Sequence, residues 1–535
     1  MGATLGIDTT ILLGSLLLVG AVLTAALAAR KGGRLRIPGA LLFLGLGMLA
    51  GDDGFGFAAF GPGDAELVRN IGAGALLLIL FEGGLTTKPT DLRLAATPGG
   101  LLATVGVVIT AGITAFGIWL FLDVDPVTAA LIGAVVASTD AAAVFSVMRT
   151  TPLPRKVAAL LRLESGANDP VAIMLTLGLI TVVQAGDVGP LDWAMFAALQ
   201  LLGGAAVGLV VGYGGARLLA RVELGIEGLY PIVALGIGGI AYGAAAYVGA
   251  SGFFAIYLAG LMIGGLVPRH RRAIRSFHEA SANAAEVGLF LLLGLLVFPS
   301  QLLDVAGPAL LVAGVLILVA RPAAVMICSL GARLSWQEQA VVSWGGLRGA
   351  VPIVLATFPL TAGIEDAPAI FDVVFFVVLV SVLVQGSTLL PLIRRLDLDS
   401  EAPAWSPVAE ALPLDGIDVD LVEVFVSQEL PICGRTLEEL PSLEASLVAA
   451  VVRGDRVIIP TGSTRLEAGD VLLLTSQREG RAVDRFSAWA RGESPAAPAA
   501  GSDGPGDEVV SEGPDRTGEQ LRPDEPDEPD EPGRA

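Results

Sequence analysis

Along the first 396 residues, mostly apolar stretches alternate with short polar loops thirteen times, at 9–29, 37–51, 68–87, 98–122, 127–148, 157–184, 194–220, 228–247, 252–267, 284–299, 306–331, 339–361 and 369–393. Crossing the hydrocarbon core of a bilayer takes about 20 such residues in a helix. The pattern therefore predicts an all-α polytopic membrane domain over 1–396 with about 13 transmembrane helices, the second, ninth and tenth of them short. The first run has no basic region before it and no small-residue cleavage pattern, so it reads as a retained span rather than a signal peptide.

The loops orient these helices. Basic residues collect on the cytoplasmic side of membrane proteins. Here they follow the odd-numbered runs: Arg30, Lys31, Arg34 and Arg36; Lys88 and Arg93; Arg149, Arg155 and Lys156; Arg217 and Arg221; Arg269, Arg271, Arg272 and Arg275; Arg333; Arg394 and Arg395. The loops after even-numbered runs are acidic or neutral, and Arg69 is the clear exception. The expected topology places the N-terminus outside and the C-terminal region in the cytoplasm of a multi-pass cell-membrane protein.

Beyond Arg395 the texture changes. A linker over 397–415 carries Pro403, Pro407 and Pro413. Short alternating segments follow at Val422–Val426, Ser446–Val452, Val457–Ile459 and Val471–Thr475, separated by turn signals at Arg453-Gly454-Asp455 and Ala468-Gly469-Asp470. They predict a small cytoplasmic α/β domain over 416–486. The remainder, 487–535, is rich in Pro, Gly, Ser and acid, ends in Asp-Glu-Pro repeats, and is predicted to be a disordered acidic tail.

Composition sharpens this reading. Of 535 residues, 53% are hydrophobic and 16% charged, against about 25% charged in soluble domains. Much of the net charge of −20 lies in the last 150 residues, and nothing in it forms the basic footprint of a nucleic-acid binder. Cys328 and Cys433 give no disulfide framework. His270 and His278 flank a basic loop, read as solvated, and lack the companions of a metal site.

The candidate chemistry is the set of polar groups at membrane depth. A lone charge there costs about 2.5–3.5 kcal/mol on insertion scales and is normally paired and functional. The set comprises Glu82, Asp140, Glu164, Asp169, Arg321 and Arg348, with Glu286 nearer a span end. In the sixth run, Ser165 and Asp169 are four residues apart and share a helical face, as do Glu164 and Asn168. A carboxylate one turn from a hydroxyl suits a hard monovalent cation, which prefers oxygen ligands. Pro170 removes the amide that would bond the Gly166 carbonyl. Ala137-Ser138-Thr139-Asp140 in the fifth run and Gly345-Gly346-Leu347-Arg348-Gly349 with Pro352 in the twelfth are candidate helix breaks. An offset of seven runs places the two breaks in opposite orientations, as inverted repeats require; close helix packing is the alternative reading of Gly345-Gly346.

Phe81-Glu82-Gly83-Gly84-Leu85, Ser138-Thr139-Asp140-Ala141-Ala142-Ala143-Val144-Phe145, Glu164-Ser165-Gly166-Ala167-Asn168-Asp169-Pro170, Arg321 and Gly346-Leu347-Arg348-Gly349 occur in this order. Together they resemble the NhaP-type branch of the monovalent cation:proton antiporters over 9–395. The wording of the fifth and sixth runs looks most like bacterial potassium/proton antiporters with a C-terminal potassium-channel regulator domain (RCK-C, or TrkA-C), which 416–486 resembles in Gly434-Arg435-Thr436-Leu437 and Gly469-Asp470-Val471-Leu472. Ala141 stands where many relatives have proline, which weakens a sodium assignment.

The resemblance implies a homodimer, crossed broken helices in spans 5 and 12, and no enzymatic activity. It implies that Asp169 binds cation and proton alternately, with Ser165, Asn168, Thr139 through its backbone, and Glu82 through water around it, and Asp140 nearby. Glu164 is expected to pair with Arg321, with Arg348 as the alternative. No cofactor is expected beyond transported K⁺ (or Na⁺) and H⁺. A small-molecule regulator such as a nucleotide is expected at 416–486, although no phosphate-cradling glycine loop is visible there. The rivals are a Na⁺/H⁺ antiporter of the same fold and, from another class, a ligand-gated cation channel, for which no filter segment is found.

Overall fold

The computed structural model describes residues 7–30, 39–56, 64–87, 89–140, 153–185, 189–267, 270–332, 334–398, 419–426, 430–441, 446–454, 456–477 and 489. The chain divides into two compact units, Met1–Trp405 and Ser406–Ala535.

Among its described residues the first unit has helices and no strand. Its helices are α1 (Ile7–Arg30), α2 (Gly39–Ala50), α3 (Ala65–Thr86), α4 (Pro89–Leu101), α5 (Val107–Phe121), α6 (Pro126–Val135), α7 (Arg155–Ala167), α8 (Asp169–Ala185) and α9 (Pro190–Ala198). They continue as α10 (Gly204–Arg221), α11 (Leu229–Tyr247), α12 (Gly252–Leu266), α13 (Arg271–Leu295), α14 (Pro299–Val315), α15 (Arg321–Cys328), α16 (Trp336–Trp344), α17 (Ala350–Thr361) and α18 (Ala367–Arg395). Single π-helical turns at Leu102–Gly106, Leu199–Gly203 and Leu316–Ala320 join α4 to α5, α9 to α10 and α14 to α15.

Among the described residues, seven helical stretches are long and apolar enough to cross a membrane by length and composition, and five more apolar helices are shorter. A count by helix length does not test the expectation of about 13 spans, for a physical reason. In the described part of the fifth run one short helix ends at Val135, the twelfth run holds two short helices on either side of non-helical backbone, and α13 starts thirteen residues before its apolar run with an amphipathic turn. Large apolar side chains such as Leu202, Val210, Tyr247 and Leu318 are exposed on the outer surface, which suits a lipid-facing surface.

Glycines set how closely the helices approach. α10 packs on α12, where Gly208 and Gly212 face Ala255 and Ala259; a Cβ at Gly208 would come 2.5 Å from the Ala255 carbonyl oxygen. This small-residue spacing is the usual solution for helix contact in lipid. α3 lies against α12, α13 and α17. Two buried apolar clusters fill the unit, one running through α3, α6, α8, α13, α17 and α18, the other around Leu160, Val325, Val341 and Ile393.

Among the described residues the second unit is a four-stranded antiparallel sheet of β1 (Val419–Phe425), β2 (Ser446–Arg453), β3 (Arg456–Ile458) and β4 (Val471–Gln477), in the order β1-β4-β2-β3. Helix is limited there to one 3₁₀ turn at Leu437–Glu439 and the single residue Trp489. The expected strands lie within three residues of these, because alternating apolar positions and the Gly454 and Gly469 turns, both at positive φ, fix the hairpins. Trp489, which the sequence reading put in the tail, is buried and its indole N–H donates to the Pro441 carbonyl at 2.9 Å. The 494–535 part of the expected acidic tail and most of the linker lie outside the described residues.

Arg453 closes this sheet. Its Nε and Nη2 donate to the two carboxylate oxygens of fully buried Asp470 at 2.8 and 2.9 Å, and Nη2 also donates to the Arg465 carbonyl at 2.7 Å. Burial opposes ionisation of Asp470, but the Arg453 bonds and the Glu467 amide outweigh it and hold the carboxyl below its ordinary value. A carboxyl depressed in the folded state stabilises it above the unfolded pKa, and that contribution is lost as pH falls through the folded pKa. Limited proteolysis within 446–477 is therefore expected to accelerate as pH falls below about 4. Asp470→Asn is expected to give rapid cleavage already at pH 7, from a loss of about 2 kcal/mol; unchanged cleavage would contradict this role.

Candidate functional site

Two interruptions of helical backbone build the site. α6 starts on Asp125, whose carboxylate caps the Val127 and Thr128 amides, with Pro126 in the first turn. It ends at Val135, and residues 137–140 continue without helix; 141–152, the rest of the fifth run, lie outside the described residues. α16 starts on the capping box of Ser335 and Glu338 and ends at Trp344, and α17 resumes at Ala350. The glycines between them release the backbone from the helix and leave room: a side chain at Gly349 would meet the Asp140 carboxylate, and one at Gly346 the Arg321 guanidinium.

The two interruptions bond to each other. The Asp140 amide donates to the Leu347 carbonyl at 2.8 Å. Arg348, fully buried, donates through Nη1 to the Ala137 carbonyl at 2.7 Å and to the Ser138 carbonyl. The Arg348 amide donates to Ser381 Oγ at 3.1 Å, Ser381 to Gln385 Oε1 at 2.6 Å, and Gln385 Nε2 to the Trp344 carbonyl at 3.0 Å. Ser381 and Gln385 escaped the sequence reading. Their signal was two polar residues four apart in the apolar run at 369–393.

Span 6 passes beside this junction as α7 and α8, with Asn168 between them. The Asn168 amide still donates to the Glu164 carbonyl at 2.9 Å, so the helix axis hardly breaks. Asn168 Nδ2 donates to Thr139 Oγ1 at 2.5 Å, and Thr139 Oγ1 lies 3.2 Å from Ser165 Oγ. All three are buried, as is Asp169. Asn168 Oδ1 and Asp169 Oδ1 have no hydrogen-bond partner among the described residues. Asp140 and Arg348 are the charged groups acting on Asp169.

Glu164 is held differently. Arg321 Nη1 and Nη2 bind its two oxygens as a fork, the second bond at 2.8 Å, and both residues are buried. Arg321 also donates to the Val342 carbonyl at 3.3 Å. Arg348 is spent on the broken backbone and makes no ion pair with Glu164. The Thr139 hydroxyl joins the side chains of Asn168 and Ser165. Glu82 lies in α3, which packs on α12, α13 and α17.

The histidines differ from expectation. His278 is 1% exposed on α13, with Nδ1 2.7 Å from the Ile274 carbonyl and its ring edge-on to Phe81. The amphipathic first turns of α13 carry it inside, beyond the reach of a search for apolar runs. His270 stacks on Tyr230. Among the described residues no three acids, histidines or cysteines gather as metal ligands.

The geometry gathers the buried polar side chains of Thr139, Ser165, Asn168 and Asp169 beside two stretches of non-helical backbone. The family described as sodium/hydrogen exchanger, transmembrane, matches residues 19–395, and the TrkA-C domain matches 421–487. The chain is 40% identical over 479 residues to the K(+)/H(+) antiporter NhaP2 of Shewanella baltica, covering 87% of this chain and 81% of that protein. It is 35% identical over 478 residues to the K(+)/H(+) antiporter NhaP of Alkalimonas amylolytica, covering 88% and 81%. The structure of the sodium proton antiporter MjNhaP1 from Methanocaldococcus jannaschii at pH 8 superposes with a TM-score of 0.63 at 25% identity, covering 72% of this chain and 99% of that one. The chain belongs to the transmembrane sodium/hydrogen exchanger family and carries a TrkA-C domain.

Removing one partner of a buried pair leaves a bare charge, at a cost of about 3–5 kcal/mol. Glu164→Ala is therefore expected to lower the melting temperature of the detergent-solubilised protein markedly, and Glu164→Asp to recover part of it. Equal melting of Glu164→Ala and the parent would show that the pair carries no structural load.

Proposed function

We propose that the chain is a secondary antiporter that exchanges a monovalent cation, K⁺ in preference to Na⁺, for H⁺ across the cell membrane, serving pH and cation homeostasis. The single observation that carries this reading is buried Asp169 with an unpartnered carboxylate oxygen, beside the unpartnered Asn168 Oδ1 and the hydroxyls of Ser165 and Thr139. That set offers several oxygens and one titratable charge. A proton or a cation on Asp169 excludes the other, and such competition at one alternating site yields exchange.

In this reading the chain has thirteen spans with the N-terminus outside, inverted repeats, crossed broken helices in spans 5 and 12, and a homodimeric assembly. Arg321 neutralises Glu164, so Asp169 alone changes charge and exchange is one for one and electroneutral. Residues 416–486 are the cytoplasmic regulatory module for a small ligand such as a nucleotide. The names of the K(+)/H(+) antiporter relatives favour K⁺. A Na⁺/H⁺ exchanger is the second reading, favoured by the Na(+)/H(+) antiporter NhaS2 of Synechocystis, 30% identical over 355 residues. A ligand-gated cation channel would need uncoupled flux.

Proteoliposomes offered K⁺, Na⁺, Li⁺ and Rb⁺ in turn are expected to release protons best with K⁺, at a rate independent of membrane voltage. Cation flux without proton release would favour the channel, and a voltage-dependent rate would reject electroneutrality. Asp169→Asn is expected to abolish exchange while leaving the melting temperature within a few degrees of the parent. Retained cation-driven proton release in that variant would remove Asp169 from the mechanism.

A further inference from the structure

The break between α16 and α17 is crossed by a hydrogen-bond relay that belongs to neither helix. In a continuous α-helix each amide donates to the carbonyl four residues earlier, so the Arg348 amide would meet the Trp344 carbonyl. Here the two are joined through α18 instead. The Arg348 amide donates to Ser381 Oγ at 3.1 Å, the Ser381 hydroxyl to Gln385 Oε1 at 2.6 Å, and Gln385 Nε2 to the Trp344 carbonyl at 3.0 Å. Two side chains are thus inserted into a missing rung of the helical ladder.

The direction of the relay fixes the chemistry of its members. A backbone amide can only donate and a carbonyl can only accept, so Ser381 and Gln385 must each accept at one side and donate at the other. A hydroxyl and a carboxamide do this without carrying charge. Both residues are buried, at 0% and 1% exposed, where a lost link leaves its partners bare. They sit four apart on one face of α18, which runs unbroken over Ala367–Arg395. One turn further along, Thr388 Oγ1 accepts from the Trp344 indole N–H at 2.8 Å, a second tie to α16 that stands outside the relay.

From the relay, direct bonds lead to the candidate site. The amide it takes belongs to Arg348, whose guanidinium bonds the Ala137 and Ser138 carbonyls. The neighbouring Leu347 carbonyl receives the Asp140 amide at 2.8 Å. Thr139 lies between those points of attachment, and its hydroxyl receives Asn168 Nδ2 at 2.5 Å and lies 3.2 Å from Ser165 Oγ. Without the relay, the gap from Trp344 to Arg348 is free to tighten toward a helical rung or to widen. Leu347 and Arg348 would then carry residues 137–140 with them.

We propose that Ser381 and Gln385 are positioning residues of the exchanger. They set the width of the break in the twelfth run and, through Leu347 and Arg348, the place of Thr139 beside Asn168 and Ser165. This rests on the exchange reading above. Neither residue touches the cation. Their loss displaces an oxygen that holds the cation in the resting complex and during transfer alike, which weakens affinity more than turnover.

The test uses the full-length protein in proteoliposomes, reading KM for K⁺ and turnover at saturating K⁺, with the melting temperature in detergent beside them. Ser381→Ala removes only the hydroxyl, and Gln385→Met replaces the carboxamide with an apolar chain of similar length. Each is expected to raise KM about tenfold, the worth of one buried hydrogen bond, with turnover within about threefold of the parent. Both cut the same relay, so the double variant is expected to show the same rise of about tenfold rather than about a hundredfold. Ser381→Thr keeps the hydroxyl and is expected to hold KM near the parent's. Thr388→Val cuts the tie outside the relay and is expected to lower the melting temperature without moving KM. A parental KM in Ser381→Ala would overturn the proposal, as would an equal rise in Ser381→Thr or Thr388→Val, or a hundredfold rise in the double variant. If Gln385→Met does not fold, the three variants at Ser381 and Thr388 decide. Exchange surviving in Asp169→Asn would sink the underlying reading, whereas an inactive Asp169→Asn beside a parental KM in Ser381→Ala sinks only this inference.

Discussion

Backbone groups in the interior of a membrane have no water to bond, and everything at this site follows from how two interrupted helices meet that constraint. Residues 137–140 and 345–349 leave the helical ladder and so expose carbonyls and amides. They satisfy one another: the Asp140 amide takes the Leu347 carbonyl, and Arg348 takes the carbonyls of Ala137 and Ser138. α18 adds Ser381 and Gln385 from outside the pair. With that frame closed, Thr139 and Asp140 are held at a fixed place beside span 6, and side chains rather than backbone are left to take an ion.

The charged residues divide accordingly. Glu164 and Asp169 are five residues apart in one span, yet their surroundings differ in kind. Glu164 faces a guanidinium whose two donors match its two oxygens, a geometry that fixes both side chains in place. Asp169 is buried, with one carboxylate oxygen unbonded among the described residues. A matched pair holds still through a transport cycle. An unmatched carboxylate beside free oxygens can trade occupants, and this difference supports the assignment of exchange to one acid and of architecture to the other.

Much of this was legible in the chain itself. The apolar runs located the helices, and the Gly345-Gly346 and Ala137–Asp140 segments marked the breaks, because glycine and polar residues at membrane depth conflict with a continuous helix. The Arg453-Gly454-Asp455 and Ala468-Gly469-Asp470 turns marked the sheet. His278 was misplaced because the start of α13 is amphipathic, so burial there comes from a neighbouring helix rather than from an apolar run. Trp489 was misplaced because its burial depends on a carbonyl some fifty residues earlier.

Sequence alone determined what must be local: hydropathy at the length of a bilayer, the strand alternation after residue 416, the acid and amide side by side at 168–169. Which arginine holds Glu164, and that Arg348 instead seals broken backbone, only the tertiary structure decided. The sequence reading preferred Arg321 but kept Arg348 as the alternative, because both arginines lie in apolar runs. The choice lies in distances between helices 150 and more residues apart, where the guanidinium fork must meet a carboxylate or a pair of carbonyls in space.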